Sequence, residues 1–300
     1  MTWRPTNKRP TSTTRMSMVD VRSDQLLHRV DELVTEEPME VRVVAWRDGR
    51  WVPHPVTVTM RTPGDDFELA AGFLFTEGVV TDPHMITHIT YCTNPLAYCT
   101  DSDELQKYNI VTVYLHRDVT FDAERLSRHV YTTSSCGICG KASLELVRTI
   151  CDRRPVGAMQ LSSDYFHSLP QALDRAQSLF QRTGGLHAAA LFDVDGQLLL
   201  LREDIGRHNA MDKLIGALFL NRRLPASDTV VLVSGRASFE LVQKAIMAGI
   251  PVMAAVGAPS NLAVELAREY GMTLIGFLRE GRFNVYAGHE RLAMNISKTA

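Results

Sequence analysis

The last third of the chain narrows the possible folds most. Three short apolar runs, residues 229–233, 251–256 and 272–277, alternate with two stretches of helical periodicity, 239–248 and 261–270. A continuous apolar run of this length suits a strand buried on both faces, as in a parallel sheet. Strand and helix in strict alternation predict a β-α-β-α-β unit, with helices laid over a largely parallel sheet. Ser238 and Ser260 stand where each helix should start and are predicted as N-caps. A further strand is expected over 283–286.

Ligands of open parallel sheets sit beyond the carboxyl ends of the strands. Three such ends occur here: Ser234-Gly235-Arg236, residues 257–260 ending in Ser260, and Phe277-Leu278-Arg279-Glu280-Gly281-Arg282. Free N–H groups at helix starts favour an anion such as phosphate. Arg236, Arg279 and Arg282 offer forked donors. The expectation is a pocket for a phosphorylated, nucleotide-bearing ligand. Ordinary turn chemistry with solvated arginines is the alternative.

The densest polar run is Arg202-Glu-Asp-Ile-Gly-Arg-His-Asn209. His208 and Asp204 suit acid–base chemistry or the holding of a purine edge, and equally suit a charged helix entry. His187, in an apolar strand behind Gly184-Gly185, reads as a buried, hydrogen-bonded histidine rather than a ligand.

Upstream the chain divides into segments. Residues 1–19 are basic, rich in Thr, Pro and Ser, and predicted to be a disordered tail. Residues 20–130 read as a strand-rich domain. It opens with a short helix over 26–34, then strands over 41–46 and 51–60 joined by Asp48-Gly49. Asp65 or Asp66 is set to cap a helix over 67–75, 109–116 is a strand, and 121–130 a helix. Residues 131–141 form a loop, and 142–300 the α/β domain. That domain begins with helices over 142–151 and 164–182, the latter broken at Pro170 and ended by Gly184-Gly185. The strand 186–192 follows, paired through Asp195-Gly196 with 197–201, and then a helix over 207–221.

The loop carries Ser135-Cys-Gly-Ile-Cys-Gly-Lys141. Glycines and a lysine around Cys136 and Cys139 are the setting of a reactive thiolate. A zinc half-site needs two more ligands, and Cys92 and Cys99 are spaced too far apart to be its other half. A thioredoxin-like pair belongs early in a βαβ unit, which this position is not. A sulfur-bearing thiol on a mobile arm is the third reading, and a pair of inert surface cysteines the bland one. A zinc nucleoside deaminase is excluded, because no cysteine follows Cys151 to complete its motif.

A net charge of −2 gives no global case for nucleic acid or an anionic membrane. No apolar run is long enough to span a bilayer. With no apolar leader and an odd five cysteines, a cytoplasmic protein with free thiols is expected.

These motifs together resemble the FdhD family, the sulfurtransferase accessory proteins of formate dehydrogenase. The resemblance rests on Arg61-Thr-Pro-Gly-Asp-Asp66, the Cys136/Cys139 loop, Thr183-Gly-Gly-Leu-His187, the 202–209 run, Ser234-Gly-Arg236, Ala258-Pro-Ser260 and residues 276–282. It implies a cytidine-deaminase-like three-layer α/β/α core beside a smaller strand-rich N-terminal domain. It implies a homodimer that receives sulfur from a cysteine desulfurase as a persulfide on Cys136, assisted by Cys139. The acceptor it implies is the molybdenum or tungsten of a bis(molybdopterin guanine dinucleotide) destined for formate dehydrogenase. Guanine nucleotide moieties would lie on Phe277 to Arg282, and no permanent metal is implied.

Overall fold

The computed structural model describes residues 9–23, 25–92, 107–122 and 159–293, with Pro155 and Gly157. In chain order the described strands and helices are β1 (Thr13–Arg22), β2 (Gln25–Val34), β3 (Glu37–Arg47), β4 (Arg50–Arg61), α1 (Asp66–Thr76), β5 (Ile86–Tyr91) and β6 (Ile110–Leu115). Then follow α2 (Ser163–Ala176), α3 (Ser178–Thr183), β7 (His187–Phe192), β8 (Leu198–Asp204), α4 (Arg207–Leu220) and β9 (Val230–Val233). The chain closes with α5 (Phe239–Met247), β10 (Val252–Ala255), α6 (Asn261–Glu269), β11 (Thr273–Arg279) and β12 (Arg282–Ala287).

The alternation in the last third builds the centre of a six-stranded sheet, ordered β12-β11-β10-β9-β7-β8. β9, β10 and β11 are parallel as expected, while β7, β8 and β12 run antiparallel to their neighbours. The continuous apolar runs work because successive side chains point to opposite faces. Val231 and Val233 join the layer that holds α4, α5 and α6, whereas Val230 and Leu232 pack with Phe166, Leu169 and Leu173 of α2. Both faces are therefore covered by helices.

A four-stranded sheet, β4-β3-β6-β5, forms the second unit. The Asp48-Gly49 turn has positive φ at both residues (49° and 80°), the geometry that matches strand twist in a tight hairpin. The two units are welded where α1 crosses α4. A methyl group on Gly72 would lie 1.9 Å from the Asp212 carbonyl oxygen, and one on Gly216 1.8 Å from that of Glu68. Backbone touches backbone there, so only glycine fits.

Several expectations are corrected. Residues 13–19 of the predicted tail and the helix over 26–34 are replaced by one antiparallel ribbon, β1 paired with β2 from Thr13↔Val34 to Arg22↔Gln25; residues 1–8 lie outside the described residues. Strand-favouring Met, Val and Thr alternate with charges in β1, and the opposite strand supplies the partner that a local helical reading ignores. Neither acid caps α1 with its side chain. Asp66 instead accepts from Arg61 Nε and from the Gly64 amide. Pro170 does not break its helix, and the interruption falls at Gln177. Burial of Phe166, Leu169 and Leu173 offsets the one amide that proline lacks. Cys92, expected as a free thiol, is disulfide-bonded and 2% exposed. The other four cysteines, with Cys136 and Cys139 among them, and the helix predicted over 142–151 lie outside the described residues, as does the helix predicted over 121–130 beyond Asp122; Phe121 and Asp122 themselves are not helical.

Candidate functional site

Because β9, β10 and β11 run parallel, their carboxyl ends open on one edge of the sheet, and so do the starts of α5 and α6. The loops beyond that edge continue the ladder. The Gly257 amide donates to the Gly235 carbonyl at 2.8 Å, Phe277 to Gly257 at 3.0 Å, and Ser260 to Ala237 at 3.0 Å. Gly257 is required by closeness, since a Cβ there would meet the Gly235 oxygen at 2.9 Å. Ser234, Gly235, Arg236, Ser260 and Phe277 to Arg282 are thus brought to one rim as the sequence predicts. Arg236, Arg279, Glu280, Gly281 and Arg282 are exposed there.

Two residues of that set are reassigned. Leu278 is fully buried in the α2-side core. Ser234 is half-buried, and its Oγ accepts from the Ala188 amide at 2.9 Å, a latch between strands. Phe277 is 42% exposed with a φ of 53°. A bulky residue in the left-handed region is costly, and the surrounding backbone bonds hold it there. Arg279 Nη1 donates to the carbonyls of Val256 (2.6 Å) and Leu278 (2.8 Å), which pins its guanidinium over the β10 loop.

The rim continues past β9 to the start of β7 and the end of β8, since His187 pairs with Asp204. Asp204 turns out to be structural. It is fully buried, lies 2.7 Å from Lys213 Nζ, and accepts from the amides of Thr62 and Gly206. His208 opens α4 with its side chain 37% exposed, its Nε2 3.2 Å from Ser238 Oγ and 3.7 Å from the Glu240 carboxylate. That hydrogen bonding with His208 holds the Glu240 carboxyl down to about 2. It also diverts the Ser238 hydroxyl, so α5 has no side-chain cap, whereas Ser260 caps α6 through the Ala263 amide.

His187 is not the buried, hydrogen-bonded histidine expected. It is half-buried and lines a cleft of about 420 Å³ with Phe180, Gly184, Gly185, Ile205 and Ser234. Burial, then the charges of Arg207 and His208, lower its pKa and so favour the neutral imidazole. Arg207 Nε beside it is buried without a hydrogen-bond partner. Glu203 shapes the cleft wall by accepting from the Leu179 and Phe180 amides at the start of α3. Burial raises its pKa despite those donors. Sequence reasoning missed this cleft because Gly184-Gly185 reads as a helix stop. The available signal was a histidine two residues after a glycine pair. Among the described residues no cluster of three metal-ligating side chains occurs.

The edge therefore offers arginine donors, helix N-termini and an exposed aromatic ring, a bed suited to an anionic, base-bearing ligand. The FdhD/NarQ family model matches residues 34–293. A Streptomyces avermitilis protein named Sulfur carrier protein FdhD is 51% identical over 290 residues, covering 95% of this chain and 97% of the relative. A Mycobacterium tuberculosis protein of the same name is 50% identical over 271 residues, covering 90% and 95%. A crystal structure assigned to a formate dehydrogenase accessory protein from Desulfotalea psychrophila shares the fold, with a TM-score of 0.70 at 23% identity over 94% of this chain and 99% of that one. The rim and the cleft are built from the same motifs that carry the resemblance, and the match runs nearly end to end: this chain belongs to the FdhD/NarQ family.

Proposed function

We propose that this chain is a sulfur carrier acting as a sulfurtransferase for formate dehydrogenase, with Cys136 as the persulfide carrier. The observation that carries the reading is half identity, over nine-tenths or more of the chain, to relatives named sulfur carriers. The Cys136 thiolate attacks the terminal sulfur of a persulfide on a cysteine desulfurase. The donor S–S bond breaks and the donor thiolate leaves. Attack by Cys139 on the inner sulfur of the Cys136 persulfide then releases hydrosulfide and leaves a Cys136–Cys139 disulfide, so the two thiols supply both electrons. The substrate that takes up this sulfide is the molybdenum or tungsten of a bis(molybdopterin guanine dinucleotide). Its nucleotide part rests on the rim, with Arg236, Arg279 and Arg282 against phosphates and Phe277 against a base. The reading includes a deaminase-like core, a cytoplasmic setting and a homodimer.

The test is intact-mass spectrometry after incubation with a cysteine desulfurase and cysteine. The expected result is a gain of one sulfur mass that reductant removes and that Cys136→Ala abolishes. No adduct on either cysteine overturns the relay. The exposed arginines of the rim would by themselves serve a second reading, a carrier that only holds the cofactor. On that reading Cys136→Ala still activates formate dehydrogenase.

A further inference from the structure

The β1–β2 ribbon stands out because so little of it is covered. Paired residues of an antiparallel ribbon share a face, so the register sorts its side chains. One face presents Val19, Val21, Leu26 and Val30, which are 47%, 65%, 69% and 68% exposed. The other presents Met16, Met18 and Leu33, at 53%, 39% and 40%. An isolated two-stranded ribbon is marginally stable in water, and apolar patches of this size on a monomer mark a contact surface. Among the described residues β1 has no strand on its outer side, so its backbone is an open template for pairing.

The base of the ribbon is firmly held. The Thr35 amide donates to the Ser12 carbonyl at 2.9 Å, and Ser12 Oγ to the Pro63 carbonyl at 2.7 Å. Val34 lies against Gly185, at the cleft that His187 lines, and Arg182 of α3 pairs with Glu32. The arm therefore leaves the body from a fixed point beside the site.

We propose that this arm is the element through which two copies of the chain associate, each arm covering the other. The proposal rests on the two-copy assembly in the reading above and gives it a location. Three observations select a second copy as the occupant. Within residues 13–34 the sequence carries Arg15, Arg22 and Arg29 against Asp20, Asp24, Asp31 and Glu32. This near-balanced mixture repels neither itself nor a copy, and gives no attraction to polyanions or anionic lipid. Both faces of one arm are apolar, so a flat docking surface would cover only half of it, while reciprocal arm exchange encloses both. The seven exposed side chains offer on the order of 600 Å² per copy, or ~1,200 Å² for a pair, enough for a specific interface.

The test uses the full chain. Wild type, the triple variant Val21→Asp/Leu26→Asp/Val30→Asp and the double variant Met16→Asp/Met18→Asp are weighed by light scattering up to about 100 μM. Wild type is expected at twice the 33.5 kDa chain mass. The variants should run as single chains, with dissociation constants raised more than about 100-fold. Because the replaced residues touch little of the body, melting temperatures measured on monomer should agree with wild type. As a check that needs no variant, amide exchange in residues 13–22 of wild type should slow as concentration rises. A monomeric wild type, variants that still pair, or arm exchange that ignores concentration overturns the proposal. Protection that appears only when formate dehydrogenase is added overturns it too, and makes that enzyme the occupant. Sulfur loading is read on the same samples. Its failure in a normal dimer counts against the relay and leaves the arm untouched.

Discussion

Two regions use the same charged residue types to opposite ends. At the weld between the two units, charges are buried and paired with opposite charges. Arg61, fully buried, donates from Nε and Nη2 to Asp66 and from Nη2 to Asn109 Oδ1 at 2.8 Å. Asp204 meets Lys213, and Lys244 Nζ lies 2.8 Å from both Asp212 Oδ1 and Thr76 Oγ1. Tyr91 donates to the same Asp66, and its pKa is pushed up to about 12 by burial and by that negative charge. At the sheet rim, Arg236, Arg279 and Arg282 stand in solvent. Burying a charge is tolerated only when it is paired, so the weld is costly to perturb, and its unmatched donor, Arg61 Nη1, is sealed from solvent. The rim leaves its guanidinium groups exposed.

That contrast is broken most severely at the weld. Lys213→Met leaves Asp204 buried with no cation, and should cost about 3–5 kcal/mol in urea unfolding. A loss under about 1 kcal/mol would show that water or a rearranged partner replaces the lysine. Gly216→Ala drives a methyl into the Glu68 carbonyl, which lies 1.8 Å from the added carbon. It should cost about 3 kcal/mol or more, although alanine is the better helix former. At the rim the balance reverses. Arg282→Ala, or Arg279→Ala, should weaken GDP binding about tenfold by calorimetry while moving the unfolding free energy by less than ~0.5 kcal/mol. Unchanged GDP affinity in both would remove the rim from the ligand site.

The smallest effect sharpens the boundary between the regions. Glu240, half-exposed beside His208, has a folded value near 2, against an unfolded carboxylate value of about 4.3. A depressed carboxylate stabilises the fold above the unfolded value and stops doing so as pH falls through the folded one. Glu240→Gln should therefore flatten the stability curve between about pH 4.3 and pH 2 and leave pH 7 chemistry intact. Solvent screening keeps the difference below about 1 kcal/mol.

The parallel core was legible because burial on both faces leaves an unmistakable apolar run, as in Val230–Val233. The rim followed from topology alone, since parallel strands must end together. What sequence could not rank was which polar residues of a motif point inward. Asp204 and His208 stand four positions apart in one dense run, yet one is sealed against Lys213 and the other opens to solvent. That choice depends on α1 and on the Thr62 segment, about 140 residues away in the chain. The β1–β2 ribbon was illegible for a related reason: both its faces carry exposed apolar side chains, so neither strand shows a clean alternation, and each finds its pairing only in the other.

The crossing of α1 and α4 has one more consequence. At most core positions a substitution is judged by volume, so neighbouring sizes are interchangeable and drift is gradual. Gly72 and Gly216 each face the other helix's carbonyl with no gap to negotiate. In a saturation scan these two sites should appear as isolated columns of total intolerance, alanine included, with no graded response to size. Nor should a second change rescue the first, because the obstructing atoms are main chain and no mutation removes them.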